Sequence, residues 1–420
     1  MKISLTCLIF LTLLSLWIVR DLFGPDFFQS HDALYHVVRL DQFHKALLSG
    51  QFPVRWAPDL LNGLGYPLFV VNYHLPYYLA EAFHLFGLSL FDAIKATFIV
   101  SAIASAMTSY WLFLSWTKKP LAALSGSLIF LISPYRLANI FERGALGEAV
   151  AYIFIPLVFL GLDHIRQKRS IKLFSLALAG LTLSHTVVAI TFAPLFLGYI
   201  IYAKPNLLAL IKGSLLAFCL SAFQLFPVIF ERRFMKFDVN LTTAYLGHFK
   251  NLYQLLRIPH SGINIGTRFQ VGIANSLIIL LSMFWFKKYW LWIISALLAL
   301  FLITPASKIL WDTLPLLPMV LYPWRFLGVI TFAAAAISVR FPKLISVSLL
   351  LMALFTTRHY TKADAFIPPI FPQEMLAGNA TTQNEFDPIS PDKLGSPGGE
   401  TPIRRAGNWT SLFSLIIWLL

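Results

Sequence analysis

Apolar residues run in blocks along most of this chain, and polar residues are confined to the gaps between them. Blocks at 3–19, 93–116, 120–137, 149–165, 172–186, 187–203, 209–230, 271–286, 289–304, 319–339 and 343–357 approach the ~20 residues a helix needs to cross hydrocarbon. Barrel strands would alternate instead, and only helices or closed barrels satisfy their backbone in lipid. The pattern therefore predicts an all-α polytopic membrane protein, a bundle of about 11 transmembrane helices. The pair within 172–203 is the least secure, because one long tilted helix fits the same residues. The stretch 68–90 breaks the pattern. Its Asn72, His74, Pro76, Glu81 and His84 are costly in lipid, so it is predicted to be an interfacial or re-entrant element.

Charge then sets the orientation. The chain carries 33 Lys and Arg against 19 Asp and Glu, a formal net charge of +14. In a soluble protein this would suggest nucleic acid. Here it is the mark of cytoplasmic loops, and no nucleic-acid partner is expected. The basic clusters are Lys118-Lys119, Arg166 to Lys172, Lys204 with Lys212, Lys287-Lys288, and Arg340 with Lys343. Placing all of them inside requires an even number of crossings between each pair, which the eleven blocks supply. The N-terminus is then cytoplasmic, with residues 3–19 an uncleaved first helix. The segments 20–92, 138–148, 231–270 and 305–318 lie outside an inner (plasma) membrane.

Two further features depend on that threading. Of the 19 acidic residues only Asp163 falls inside. Asp and Glu contribute little to topology, so their asymmetry marks the outer face as the working face. Inside, the loops are short and no GxxxxGK[ST] or GxGxxG occurs, which excludes a cytoplasmic nucleotide site. Cys7 and Cys219 fall within apolar blocks and imply no disulfide framework. Residues 1–357 form the expected transmembrane domain. A polar tail, 358–410, is predicted to be loop-like or partly disordered, and 411–420 is a hydrophobic end about half the length of a span.

Candidate chemistry gathers at the outer mouth. In "HDALYHVVRLDQF" (31–43), Asp32, His36 and Arg39 recur at i, i+4 and i+7, so they share one helix face. With Ser30 as N-cap, Asp32 would sit in the first turn, where a carboxylate favours the helix dipole. The competing role is that of a general base acting on an acceptor hydroxyl. Arg136, Glu142, Arg143 and Glu148 crowd the loop between two spans. They are either a salt-bridged surface loop or a site, since Glu148 opens an apolar helix where an acid needs a partner. In "LYPWRFLG" (321–328), Arg325 either snorkels outward as an interfacial anchor or grips a lipid phosphate bidentately. His185, between the two helices of the tight pair, faces the same compartment. No cofactor is called for: His31, His36 and Asp32 offer metal-ligating atoms, but without zinc-type spacing.

The run "SHDALYHVVRLDQFHKALLSGQFPVRWAPDLLNGLGYPLFVVNYHLPYYL" resembles the first outer loop of bacterial GT-C-type membrane glycosyltransferases. It is most similar to the YfhO-like and "6-pyruvoyl-tetrahydropterin synthase-related" membrane proteins, a label that implies no pterin chemistry. Asp32, His36, Arg39, Arg55 and Trp56 match its motif positions, and "ERGALGEA" and "YPWRF" resemble later motifs. The resemblance implies an inverting glycosyltransferase, with a polyprenyl-phosphate sugar as donor and a cell-envelope glycan or lipid as acceptor. By position the acids are Asp32 and Glu148, with His36 assisting. Arg39, Arg55, Arg143, His185 and Arg325 are the substrate-binding candidates. The competing classes are a lipid or polysaccharide transporter, which would need ionisable residues near midplane, and a non-catalytic assembly protein.

Overall fold

The computed structural model describes residues 4–231, 243–256 and 269–380. The tail beyond 380, and with it the hydrophobic end 411–420, lies outside the described residues. The helices are α1 (Leu5–Ile18), α2 (Ala33–Leu48), α3 (Leu68–Val71), α4 (Leu75–Leu85), α5 (Leu90–Thr117), α6 (Pro120–Leu131), α7 (Pro134–Phe141) and α8 (Leu146–Arg166). There follow α9 (Lys172–Ala203), α10 (Leu207–Glu231), α11 (Leu252–Leu256), α12 (Ile273–Ser282), α13 (Phe286–Ile303), α14 (Lys308–Thr313), α15 (Leu327–Ser338) and α16 (Lys343–Thr357). Local signals in the sequence punctuate them. The Ser89 hydroxyl accepts the Asp92 N–H at 3.1 Å to open α5. Lys118 closes it in the left-handed region at φ 58°, and Pro120 starts α6.

By length and composition α5, α8, α9, α10 and the run Ile273–Ile303 can each cross a membrane, and α6 with α7, bent by 49° at their junction, makes a sixth. Two of these runs double back. In α9, Phe174 lies against Gly161 of α8, while Tyr199 donates to Asp163, two residues further along the same helix, at 2.9 Å. A straight helix would hold residues 174 and 199 ~37 Å apart. The reversal is at His185, whose φ −167° and ψ 97° are extended rather than helical. Its first arm runs antiparallel to α8, with Ser184 by Gly147, and its second runs parallel, with Phe192 by Tyr152 and Phe196 by Phe159. The run Ile273–Ile303 behaves alike. Val271 donates to the Leu255 carbonyl and Lys250 to the Ile303 carbonyl, both at 3.0 Å, so both ends meet the one short helix α11. Straight, they would lie ~45 Å apart.

These reversals sort the chain into two ends. At one, Asp163 accepts from Trp116 and Tyr199 and pairs with Arg166, while the Arg340 guanidinium covers the Trp116 ring. Tyr289 donates to the Arg340 carbonyl there, and Ser175 to that of Gly213. The basic clusters are gathered at this end. The opposite end carries α2, α3, α4, the 142–148 loop and the Pro323–Phe326 turn. There β1 (Phe27–Phe28) pairs antiparallel with β2 (Phe366–Ile367), and Asp21 accepts the Ala363 N–H. The described part of the tail is fastened to the first long loop. The 68–90 stretch forms α3 and the 11-residue α4, which packs on α2 and α5 and is too short to cross.

Candidate functional site

The site begins where the 142–145 loop closes on the start of α2. Glu142 and Arg143 carbonyls accept the His31 and Asp32 N–H groups at 3.0 and 2.8 Å. Gly144 permits this approach. Its φ is +65°, and a Cβ there would lie 2.3 Å from the Ser30 hydroxyl. Ser30 does cap, accepting the Ala33 N–H at 3.1 Å. The helix starts two residues later than Ser30 as N-cap would place it, however, so Asp32 occupies the N-cap position, and its carboxylate makes no capping hydrogen bond. The backbone clamp satisfies the end of the helix. The carboxylate is left facing open space.

Glu148, in the first turn of α8, is the hub of a second group of residues. One oxygen accepts from Tyr135 and Asn139, each at 2.9 Å; the other accepts from Arg143 at 2.7 Å and Arg325 at 3.1 Å. Glu148 is 1% exposed. The cluster is thus a buried charged core and no surface loop, with two guanidiniums sharing one carboxylate. Of the two readings of Arg325, the outward-reaching anchor does not fit. Arg325 turns inward, gives Nη1 to the Val320 carbonyl at 2.7 Å, and lies over the Tyr322 ring. Arg143 covers the Trp324 ring in the same way.

Both groups border a cavity of about 610 Å³, and Asp32, His36, Arg39, Arg143, Glu148, His185 and Arg325 all line it. Residues from four distant segments meet because the His185 reversal and the Pro323–Phe326 turn fall at the same end of the bundle. Two arginines act otherwise than expected. Arg55 does not line the cavity: it pairs with Glu231 at the end of α10, a partner 176 positions away. Arg136 donates to Ser105 and covers the rings of Phe130 and Tyr152 inside the bundle. Arg39 lines the cavity, but its Nε and Nη2 both donate to the Ala380 carbonyl, anchoring the tail. His36 accepts from or donates to the Tyr77 hydroxyl at 2.8 Å, and burial, reinforced by Arg39, pushes its pKa well below the usual imidazole range. It is a neutral imidazole here. Among the described residues no group of three or more His, Cys, Asp or Glu is arranged to hold a metal ion. Tyr73, Gln224, His248 and Lys250, to which no role attaches from sequence, also line the cavity. The one signal near them was the polar break at Asn72 and His74.

No family model matches the chain. An uncharacterized protein of Lactococcus lactis subsp. cremoris (strain MG1363) is 28% identical over 239 residues, covering 53% of this chain and 38% of that one. Among solved structures, a cryo-EM structure of a variant of the arabinofuranosyltransferase AftD from Mycobacteria superposes with a TM-score of 0.52 and 14% identity, over 88% of this chain. The chain shares its fold with that structure. A second AftD structure aligns at 15% identity with a TM-score of 0.49, over 88% of this chain and 28% of that one. The chain spans 29% of the AftD variant's length, so the likeness covers one portion of a far larger enzyme.

Proposed function

We propose that the protein is a membrane glycosyltransferase of the YfhO-like group. It moves a sugar from a polyprenyl-phosphate-linked donor to a cell-envelope glycan or lipid acceptor. The observation that carries this reading is the cavity itself. It brings a carboxylate with no capping duty into one cavity with two arginines held by Glu148. In the proposed reaction Asp32 takes the proton of an acceptor hydroxyl, and that oxygen attacks the anomeric carbon. The bond to the phosphate oxygen breaks on the far side, so configuration inverts and polyprenyl phosphate leaves. Arg143 and Arg325 neutralise the leaving phosphate, where preorganised positive charge is most effective. Glu148 fixes both of them and His36 borders the base. Apolar lining from Val187, Ile190 and Val228 suits a lipid chain entering from the bilayer. The transporter reading is less well supported, since the cavity's charges gather at one end of the bundle.

We further read all eleven apolar segments as crossings, with residues 1–357 as the transmembrane domain and the cavity on the outer face of the inner membrane. The supporting observation is that the basic clusters collect at the end opposite the cavity. Cysteines introduced at Lys168 and at Asp59 distinguish the orientations. An impermeant maleimide added to intact cells should label position 59 and spare position 168, and the reverse result would invert the protein.

The test of activity uses the full chain in nanodiscs, radiolabelled polyprenyl-phosphate sugars, and membranes from cells lacking the protein as acceptor. Transfer of label from at least one donor is expected. Failure to consume any donor of the panel would remove the reading.

A further inference from the structure

Buried polar groups without partners are uncommon in folded proteins and call for an explanation. Two of those in this structure border the cavity: Asn72 Nδ2 and His185 Nδ1. His36 Nε2, which also borders the cavity, lacks a hydrogen bond of ordinary geometry. Asn72 is 6% exposed and His36 1%. The Asn72 amide is oriented by its own oxygen, which accepts the Tyr73 N–H at 2.9 Å, so its NH2 is the group left over. His185 is set by the reversal of α9. Tyr73 lies between the two histidines, its ring 5.5 Å from that of His185 and 6.4 Å from that of His36. Gly147 makes room for the Tyr73 ring, since a Cβ there would come within 2.5 Å of it.

We infer that Asn72, His36 and His185, around the face of Tyr73, form a cradle for the transferred sugar ring. The inference rests on the glycosyltransferase reading and adds to it the chemistry of the group transferred. Each unpaired atom belongs to an uncharged amide or imidazole, and a sugar hydroxyl, able to donate and accept, satisfies either kind. The Tyr73 ring offers an apolar surface to the C–H face of the sugar. The position fits as well. His36 follows Asp32 by one helical turn, and His185 borders the Arg325 and Glu148 side, so the cradle lies between base and phosphate. It selects a neutral, hydroxylated glycosyl group.

The discriminating variant is Asn72→Asp, which keeps the oxygen that accepts the Tyr73 N–H and replaces the cavity-facing donor with a charged acceptor. His185→Ala removes the second contact, and His185→Gln restores a polar group there. Binding is read by saturation-transfer NMR on the full chain in nanodiscs. The probes are methyl glycosides of glucose, galactose, mannose and arabinofuranose. At least one should bind, and roughly five- to tenfold more weakly to Asn72→Asp and to His185→Ala, as expected for one lost hydrogen bond. His185→Gln should recover part of the loss, and a cooperative melting transition in each variant shows that weaker binding is not loss of the fold. No saturation transfer from any glycoside, or equal transfer with both variants, overturns the cradle. Glycoside binding without sugar transfer would instead sink the enzyme reading and leave the cradle standing. Transfer with kcat and KM unchanged in both variants would do the opposite.

Discussion

Asp32→Asn is expected to fold and melt like the parent protein and to lose sugar transfer by about 10²–10⁴-fold, the range for removal of a general base. Asparagine matches aspartate in size and caps helices equally well. Were Asp32 a helix cap, the change would therefore leave turnover intact and cost about 1 kcal/mol or less. The structure sharpens this contrast. The start of α2 is already satisfied by the Ser30 hydroxyl and by the Glu142 and Arg143 carbonyls, and the Asp32 carboxylate caps nothing. Its charge is free for other work, and the cavity is where it points. Transfer from a polyprenyl-phosphate sugar and melting temperature should be measured on the same samples. An Asp32→Asn protein that turns over at the parental rate would take the carboxylate out of the mechanism.

What the sequence revealed of this site follows how local each determinant is. The shared face of Asp32, His36 and Arg39 needs only helical spacing, and α2 presents all three to the cavity. Bringing Glu148, His185 and Arg325 to them needed only the alternation of basic loops, because a bilayer turns sidedness into proximity. Direction within the mouth was not legible. Arg55 and Arg143 look alike in sequence, each beside an aromatic or glycine-rich motif. Yet Arg55 finds Glu231 across 176 positions, and Arg143 finds Glu148 across five. The sequence leaves the Arg325 side chain open between an outward anchor, suggested by its interfacial neighbours, and a phosphate ligand. The side chain turns inward because a buried carboxylate outweighs solvation at the surface. The leftover amide of Asn72 was beyond sequence altogether, for an unpaired atom is defined only once every neighbour is placed.

Glu148→Gln should lower stability by about 3–5 kcal/mol, the usual consequence of leaving a buried charge without its counter-ion. It should abolish transfer as well. Glutamine fills the same volume and can still meet Tyr135 and Asn139, so packing around Oε2 is little disturbed. What disappears is the negative charge shared by Arg143 and Arg325, at 2.7 and 3.1 Å, in a cluster almost wholly removed from solvent. The two guanidiniums then repel each other with nothing between them, and their aim at the leaving phosphate is lost together with fold stability. An added anion supplies the missing charge. Inorganic phosphate or diphosphate should therefore raise the melting temperature of Glu148→Gln more than that of the parent, because its vacant cationic pair binds the anion more tightly. A proton-transfer role for Glu148 predicts a different pattern, with parental melting behaviour, no special response to phosphate, and loss of turnover alone. Melting curves with and without phosphate, beside transfer rates, separate the two. A Glu148→Gln protein that melts at the parental temperature would end the counter-ion account and make Glu148 the second acid of the mechanism.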